Sequence, residues 1–587
     1  MKPSDSEIIN ALEVHGSINA AAKHLRSVGY SFRATWMVEQ CAMLRDRSRL
    51  DHSKRPSNSQ IVIALEATDG NVKAAARILR QQGFEFRTIW FNEVCRECED
   101  RVKETSGGYV QPPTTDRKRL TGKCFIFTSA QNNTKVHDGF FKSLEHLAHH
   151  RNASIYVGRF SYNKDGWSQA HNILKGSDEL WYDERLHPYF VDEQVQVCDG
   201  LVFCGELDIL PTAAVPLSGL DSYTKSDSGI VPHAKMHMAS IPTMKNDPVK
   251  FMYTTGAVTL RNYIQRKAGQ KAEHHHVFGA LIVEEGSQGE WYVRQISATN
   301  DGSFYDLNTL YTPDGVDGDS HPVEGISWGD VHLEKVDPKA VNAAWVGKRS
   351  MMSVLKPRHQ FIHDVTDFMA RSHHNKKDPY HLAKMYSDKT DSVQSEIIAV
   401  RKFLQKISKP ECMTVVVESN HDQALTRWLK DPSGCEDPAN AKYWHYLNYK
   451  MHCAVESGDR RSSLEFAVGN LDNVLFLPED DSYMICKDSG GIECGVHGHR
   501  GPNGSRGTPQ CYRRCGSRMN TGHTHSAGII DGVYTAGVIG KLDMGYNVGM
   551  SSWSHSSIVT YKNGKRCIVT MRDVGGKSMK WHANAKL

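Results

Sequence analysis

Short, mostly apolar runs between residues 323 and 525 are each followed, within a few positions, by aspartate, asparagine or histidine. The runs occupy residues 323–328, 360–362, 413–417, 492–496 and 519–521, and the side chains that follow them include Asp330, His332, Asp364, Asn420, His497, His523 and His525. Runs of this length are typical of buried strands, and the carboxyl ends of strands in an α/β sheet can place distant residues in one cleft. The pattern therefore predicts an α/β fold with these side chains gathered at one site.

The chemistry of these side chains suits two divalent metal ions. A carboxylate can bridge two ions, while neutral imidazoles and an amide oxygen complete the coordination without making the site too anionic for a phosphate. In the Asp-x-His and His-x-His spacings, alternate residues of an extended segment share a face, so that two donors can reach one ion. Two ions in such a site can activate water for attack on a phosphoester.

The ordered series Asp330-x-His332, Asp364, Asn420-His421-Asp422, His497-Gly-His499 and Gly-His523-Thr-His525 resembles the motifs of the calcineurin-like metallophosphoesterases. The resemblance covers about residues 322–575. It implies a sandwich of two mixed sheets flanked by helices, and the activity of a metal-dependent phosphoesterase, with a structural metal site as the alternative.

The resemblance also implies a role for each residue. Three side chains would hold one metal (Asp330, His332 and His525), three would hold the other (Asn420, His497 and His523), and Asp364 would bridge the two. His421 would lie beside the scissile phosphate and neutralise its charge or assist the leaving group, with Asp422 orienting that imidazole. The chain departs from the family at His363 and Ser419, where the family usually has glycine. Asp367 could compete for the bridging role, but Asp364 directly follows the apolar run.

The N-terminal segment contains an internal repeat. Residues 6–13 align with residues 59–66, and after one inserted residue the match continues at an offset of 54, from Gly16/Gly70 to Cys41/Cys95. Each copy is predicted to form three short helices, with a glycine-containing turn before a third helix that begins near Phe32 or Phe86.

This trio of helices resembles a helix-turn-helix unit, in which the third helix enters the major groove of DNA. Arg33 and Arg87 would then lie in the first turn of that helix and contact DNA. The formal net charge of +4 favours an anionic partner for this part, because the excess of basic residues lies within the first 120 residues. The alternative is a helical docking or oligomerisation module.

Composition, together with glycine and proline residues that interrupt helix and strand patterns, divides the chain into five segments. Ser106-Gly107-Gly108 and Pro112-Pro113 interrupt any periodicity, and a strand, helix and strand pattern begins after them. The predicted segments are two helix-turn-helix-like repeats (1–52 and 53–105), a linker (106–121), a middle α/β domain of unknown role (122–320) and the metallophosphoesterase domain (321–587).

No stretch approaches the roughly 20 apolar residues that span a bilayer, and the first residues lack the apolar segment of a signal peptide. We therefore expect no membrane association and a cytoplasmic protein. A basic loop at residues 500–507 lies near His497 in sequence, so that Arg500 and Arg506 could contact a backbone phosphate; a solvated loop is the alternative.

Three function classes remain open at this point. One is a deoxyribonuclease that degrades DNA by attack of metal-activated water on the backbone phosphate, with DNA held by the repeats or the middle domain. Another is a phosphatase or nucleotidase that acts on small or protein-bound phosphoesters. A DNA-binding regulator with a structural metal site is a third reading. His421 argues against it, because a histidine that need not bind the metal has no role in a purely structural site.

The overall order of the chain, including residues 254–259, also resembles the host-DNA-degrading nucleases of T-five-like bacteriophages. That resemblance favours DNA as the substrate and two manganese ions as cofactors, with magnesium or another divalent metal as the alternative. It also implies action in the cytoplasm of an infected bacterium, with a homo-oligomer as a possible assembly.

Overall fold

The computed structural model describes residues 2–47 without 16, parts of 55–95, and residues 117–583 without 163–180, 246, 319–320 and 373–374. The chain divides into two compact units, residues 1–116 and 117–587. The predicted linker therefore ends earlier than expected, because Arg119 already pairs with Gln196 of the second unit.

The first copy of the repeat forms three helices. They are α1 (Asp5–His15), α2 (Ile18–Ser27) and α3 (Ala34–Arg47), and in the second copy α4 (Val72–Gln81) corresponds to α2 at the offset of 54. The hydroxyl of Ser17 caps α2 by accepting the N–H of Ala20 at 3.2 Å. The third helix begins two residues after Phe32, close to its predicted start.

Many of the repeated residues are core residues. Ala21, Ala22, Leu25 and Cys41 are buried in the first copy, and their equivalents at an offset of 54 are buried in the second. The guanidinium of Arg26 also lies 5.0 Å from the centre of the Phe32 ring, and Arg80 stands over Phe86 at 4.9 Å. The repetition therefore preserves a packing pattern, whichever partner the surface binds.

The second unit is a mixed α/β structure. Its helices are α5 (Asp138–Arg151), α6 (Lys267–His275), α7 (Pro338–Trp345), α8 (Met351–Leu355), α9 (Pro379–Ser387), α10 (Val393–Ile407), α11 (Gln423–Leu429), α12 (Ala441–Glu456), α13 (Ser463–Val468) and α14 (Pro509–Tyr512). Its strands up to residue 327 are β1 (Cys124–Gln131), β2 (Ser154–Phe160), β3 (Gln194–Cys198), β4 (Leu201–Cys204), β5 (Ser228–Val231), β6 (Met238–Ile241), β7 (Lys250–Thr254), β8 (Gly279–Glu285), β9 (Trp291–Ser297), β10 (Phe304–Asp306), β11 (Thr309–Thr312), β12 (Gly315–Asp317) and β13 (Gly325–Ser327).

The later strands complete the sheets. They are β14 (His359–His363), β15 (Met413–Val417), β16 (Val474–Leu477), β17 (Met484–Ile485), β18 (Ile492–Glu493), β19 (Met519–Thr521), β20 (Gly528–Ile530), β21 (Val533–Thr535), β22 (Ser556–Thr560), β23 (Arg566–Thr570), β24 (Arg572–Val574) and β25 (Ser578–Lys580). Among the described residues, no helix has the length and apolar character that crossing a membrane requires.

A six-stranded sheet has the order β16-β15-β14-β13-β22-β23, and its first four strands are parallel. Side chains alternate across it, as the two-residue period of a strand requires. Val415 and Val417 belong to the same apolar cluster as Ile492 of β18, whereas Val416 belongs to the cluster that contains Phe403 of α10. One face of this sheet is therefore covered by helices and the other by a second sheet.

That second sheet has ten strands in the order β17-β18-β19-β21-β20-β6-β7-β5-β4-β3. It joins residues 194–254 to residues 484–535, because Ile529 of β20 pairs with Met238 of β6. The Ser240 hydroxyl also donates to the carbonyl of Ala527 at 2.6 Å. The structure therefore differs from the predicted division between 122–320 and 321–587, since backbone pairing runs across that boundary.

Smaller sheets complete the unit, with the orders β2-β1-β8-β9, β10-β11-β12 and β24-β25. The four-stranded sheet shares an apolar core with the two large sheets, and the N–H of Ile568 donates to the side chain of Gln295 at 2.7 Å. The fold is thus mixed α/β with two facing sheets and outer helices. That it is the calcineurin-like arrangement stays a prediction.

Gln360 in β14 is a fully buried amide that ties the sheet to the outer helices. Its carbonyl oxygen accepts the indole N–H groups of Trp328 and Trp345, both at 3.0 Å. Its amide nitrogen donates to the carbonyl of Ile407 at 3.1 Å and to the hydroxyl of Thr414 at 2.9 Å. Every hydrogen-bonding position of this buried side chain is therefore used.

We predict that Gln360→Leu lowers the free energy of unfolding of the protein by about 2–5 kcal/mol, because two buried indole N–H groups lose their acceptor. Urea denaturation followed by circular dichroism would measure this loss. Gln405→Leu, at an exposed position of the neighbouring helix α10, is the matched control and should change the free energy by less than about 0.5 kcal/mol. Equal unfolding midpoints for the two variants would contradict the role given to Gln360.

Candidate metal centre

The ends of strands from both large sheets meet at one place. Asp330, Asp364 and Asn420 lie just beyond β13, β14 and β15 of the six-stranded sheet, whereas His497 and His523 follow β18 and β19 of the ten-stranded sheet. The chain after β13 stays paired with the chain after β14, since the N–H of His332 donates to the Asp364 carbonyl at 2.7 Å.

Four buried side chains form the centre of the site. Asp330, His332, Asp364 and His525 each offer one ligand atom, and these atoms all lie within 4.8 Å of one another. The Nε2 atoms of His332 and His525 are 3.0 Å apart. The Asp364 carboxylate lies 3.3 Å from His332 Nε2, and the Asp330 carboxylate lies 3.1 Å from His525 Nε2. Ligand atoms this close, from three segments of the chain, can hold one cation.

A second group of ligands adjoins Asp364 on the side of His497. His497 Nε2 lies 3.6 Å from the Asp364 carboxylate and 3.1 Å from the side-chain oxygen of Asn420. The ring of His523 packs beside that of His497, with centroids 5.2 Å apart. Asp364 therefore lies between the two groups of ligands, where the sequence analysis expected a bridging carboxylate.

The main chain at four of these residues is left-handed. The φ angles are 47° at His332, 45° at Asp364, 71° at His523 and 58° at His525. Such angles are uncommon outside glycine and cost on the order of 1–3 kcal/mol each, so they persist only where the surrounding structure imposes them. Here the strand-end turns impose them, and they direct donors from both sheets into one small volume.

Gly522, the glycine of the Gly-His-Thr-His motif, is required by close approach. A Cβ at this position would lie 2.2 Å from Oδ1 of Asp330 and 3.3 Å from Cγ of His363. The backbone N–H of the next residue, His523, donates to the Asp330 carboxylate at 2.7 Å. Any side chain at residue 522 would displace that carboxylate.

Burial sets the charge of the imidazoles. It lowers the pKa of His523 and of His525 to about 4, and it lowers the pKa of His497 well below its usual value. These rings are therefore neutral near pH 7 and keep a lone pair for a cation.

The carboxyl groups of Asp330 and Asp364 differ in the direction of their pKa shifts. Burial and then the charge of Asp364 raise the pKa of Asp330 well above its usual value. Burial acts in the same direction on Asp364, but the neighbouring imidazoles, of which His497 is the strongest, outweigh it and hold the pKa of Asp364 low. One buried oxygen of each carboxyl group has no partner among the described residues. Buried oxygens without a partner, on carboxyl groups whose other oxygen lies beside imidazole nitrogens, fit a cation, because an added positive charge would remove the cost of burying them.

Asp367 supports two imidazoles. Its carboxylate lies 3.1 Å from Nδ1 of His332 and 3.4 Å from Nδ1 of His421, and Lys335 Nζ lies 3.0 Å from it. An acceptor at Nδ1 places the proton there and leaves the Nε2 lone pair of His332 free for a cation. The sequence analysis considered Asp367 only as a rival bridging ligand, and this supporting role was missed.

The side chain of His421 is a part-exposed imidazole of the site, with 23% of its surface accessible, and its ring centroid lies 4.7 Å from that of His332. Asp422, which the sequence analysis paired with it, is buried and accepts the N–H of Thr366 at 3.4 Å. Burial and the charge of Asp364 raise the pKa of Asp422 well above its usual range. The carboxylate beside His421 is thus that of Asp367, because Asp422 points toward the 364–366 turn.

The two departures from the family pattern are both buried. His363 is fully enclosed, neither ring nitrogen has a partner among the described residues, and burial lowers its pKa to about 4. Ser419 accepts the N–H of Asp422 at 3.1 Å. Both side chains therefore lie in the packing beneath the strand-end turns.

The four arginines predicted to contact nucleic acid have different surroundings. Arg500 and Arg506 are exposed and pair through their main chains, and Arg500 also lies 2.5 Å from Glu479, which in turn contacts His499 at 2.8 Å. Arg33 is exposed just before α3, and Arg87 lies outside the described residues. The sequence analysis missed Arg427, whose guanidinium donates to the backbone carbonyl of Asn420 at 2.6 Å; no motif marked it.

The comparisons with known proteins give one informative match. No family model and no solved structure matches the chain. Protein A1 of Escherichia phage T5 is 41% identical to it over 495 residues, which cover 82% of this chain and 87% of that protein. Similarity at this level over most of both chains shows common descent, and the chain belongs to the family of Protein A1 of Escherichia phage T5.

Proposed function

We propose that this protein is a two-metal-dependent phosphodiesterase that cleaves DNA. The observation that supports this most strongly is the buried group Asp330, His332, Asp364 and His525, whose ligand atoms lie within 4.8 Å of one another. Asn420 and His497 extend that group on the far side of Asp364. Two adjoining sets of donors that share a carboxylate are typical of hydrolases that act on phosphoesters.

In this proposal Asp330, His332 and His525 would hold one ion, Asn420, His497 and His523 would hold the other, and Asp364 would serve both. Carboxylate and amide oxygens combined with imidazole nitrogens suit a hard-to-borderline cation, so manganese is the ion we propose and magnesium is the alternative. Bound ions of this kind neutralise phosphate charge and lower the pKa of water. The low pKa values of His497, His523 and His525 keep these residues neutral and able to bind near pH 7.

His421 is the group we assign to the reacting phosphate. Its Nδ1 faces the Asp367 carboxylate, which leaves Nε2 for the substrate, and its side chain is partly accessible. A protonated imidazole held in this way can donate a hydrogen bond to a phosphoryl oxygen or a proton to the leaving oxygen. Asp367 acts as a positioning residue for both His332 and His421.

DNA is the proposed substrate for two reasons, which are the positive charge beside the site and the similarity of this chain to a phage protein. Exposed guanidinium groups of Arg427 and Arg500 lie beside the His497 half of the site and can contact a phosphate backbone. Protein A1, a relative of this chain, is a phage protein. We accordingly place the proposed reaction in the cytoplasm of the infected bacterium.

The decisive experiment compares substrates of different classes. Purified protein is assayed on plasmid DNA, on bis(p-nitrophenyl) phosphate and on p-nitrophenyl phosphate, with manganese, magnesium or a chelator. Metal-dependent hydrolysis of the DNA and of the small diester supports the proposal. Hydrolysis of the monoester alone would favour a phosphatase or nucleotidase, and DNA binding without hydrolysis would favour a regulator with a structural metal site.

We predict that Asp364→Asn lowers the rate of diester hydrolysis by at least roughly a hundredfold, because the carboxylate between the two sets of ligands loses its charge. His497→Ala should have a similar effect. Metal content, measured by mass spectrometry of the purified protein, should fall in parallel. Asp472→Asn, an exposed aspartate elsewhere in the same unit, is the control; a near-normal rate for Asp364→Asn with excess manganese would refute the assignment.

A second prediction tests the role of His421 and asks whether Asp367 or Asp422 positions its ring. His421→Ala should retain bound metal but lose rate, because it removes a group that acts on the phosphate. Asp367→Asn should lower both metal affinity and rate by roughly 10–100-fold, since it frees the rings of His332 and His421. Asp422→Asn should change the rate less than Asp367→Asn does. The opposite order for the two aspartates would restore Asp422 as the support of His421.

A third prediction concerns the N-terminal repeats. If they bind DNA, Arg33→Gln should weaken DNA binding and reduce the slope of log affinity against log salt concentration by about 1, because one phosphate contact is lost. Hydrolysis of the small diester should be unchanged. Arg358→Gln, an exposed arginine of the second unit, is the control. A salt slope unchanged in Arg33→Gln, together with a smaller particle by light scattering, would favour an assembly module.

A further inference from the structure

A loop of residues 541–553, here called the apolar loop, begins and ends at segments that carry proposed ligands. At its start the N–H of Lys541 donates to the carbonyl of Lys335 at 2.9 Å, and the preceding Ile539 donates to the carbonyl of Asp330 at 2.7 Å. At its end Ser554 donates to the carbonyl of His525 at 3.2 Å. The loop is therefore anchored at both ends beside the candidate metal centre.

The loop has an internal framework although it lacks regular secondary structure. Met544 is buried beneath it, and the side chain of Asn547 accepts the N–H of Met544 at 3.0 Å and donates to the carbonyl of Leu542 at 2.8 Å. Near its end, Ser551 pairs through both backbone groups with Thr243, at 2.8 and 3.0 Å. These bonds hold the tip of the loop in a defined shape.

That framework presents large apolar side chains to solvent. Val548 is 86% exposed and Met550 is 66% exposed, and Leu542 and Tyr546 are exposed as well. Met244, next to the Thr243 that pairs with the loop, is 65% exposed. Single exposed apolar residues are ordinary, but four on one ordered loop, with Met244 on the segment paired to it, form a patch that marks an interaction site.

The residues around the apolar loop indicate what kind of ligand it contacts. The Lys335 ammonium stands 4.6 Å from the centre of the Tyr546 ring, and the ring of Trp553 lies 4.2 Å from that of His525. Lys335 also lies 3.0 Å from the Asp367 carboxylate, so the Tyr546 ring is close to the site. Aromatic rings with adjacent cations are the surfaces on which bases stack and phosphates rest.

We propose that the apolar loop is a wedge that inserts Val548 and Met550 between neighbouring bases of duplex DNA and unstacks them next to the phosphate to be cleaved. Apolar side chains inserted between base steps unstack and kink a duplex in this manner. Once the bases are unstacked, one strand of the duplex can enter the candidate metal centre. The displaced base would stack on the ring of Tyr546. This inference rests on the proposed function and extends it to base-paired DNA as a substrate.

The test uses the full-length double variant Val548→Ser/Met550→Ser, which removes the exposed apolar surface and leaves Tyr546 and both glycines of the loop in place. Val455→Ser, at a 71% exposed valine of α12, is the matched control. Rates are measured with a blunt duplex, with one of its strands alone and with bis(p-nitrophenyl) phosphate, and particle mass is measured by light scattering.

We expect the double variant to cleave the duplex at least roughly tenfold more slowly. Without the two apolar side chains, nothing offsets the free-energy cost of unstacking the bases. Cleavage of the single strand and of the small diester should stay within about twofold of the wild type, and the mass should not change. Equal losses on duplex and single strand, or no loss on either, would overturn the wedge. A smaller particle would also overturn it and make the patch a contact between copies. Wild-type protein that cleaves the small diester but no DNA would instead refute DNA as the substrate in the proposed function.

Discussion

The hydrogen bond from the backbone N–H of His523 to the Asp330 carboxylate joins the two large sheets at the point where the chemistry is proposed. Asp330 belongs to the six-stranded sheet and His523 follows a strand of the ten-stranded sheet, so neither sheet alone completes the site. The contact leaves no room for a side chain at Gly522, and the backbone is left-handed at His523 and His525. Packing between the sheets, around residues such as Val415 and Ile492, therefore determines how closely the ligands approach.

Much of the candidate site could be predicted from the sequence, because a strand end places a residue with little dependence on distant context. Asp330, Asp364, Asn420 and His497 each follow a short apolar run, and the structure brings their side chains together. The support of His421 could not be predicted in this way. Asp422 is its neighbour in sequence, but the side-chain direction at the start of α11 turns Asp422 away, while Asp367 reaches His421 from the turn after β14.

The fold was less predictable than the site. The repeat was recognisable because identical residues recur, and the structure explains the recurrence through the buried positions Ala21, Leu25 and Cys41 and their equivalents. The division of the second unit was not recognisable, since pairing of β6 with β20 depends on two short strands far apart in the chain and leaves no local pattern. A boundary inferred from composition can therefore separate segments that share hydrogen bonds.

That shared sheet has a consequence for synthesis on the ribosome. The bond between Ser240 and Ala527 spans 287 residues, so the edge of β6 emerges long before the strand that covers it. At translation rates of about 5–20 residues per second, the nascent chain would wait roughly 15 s to 1 min with that edge unpaired. An open edge is a template for pairing with other chains, so during this interval the nascent protein exposes an edge that the finished fold conceals.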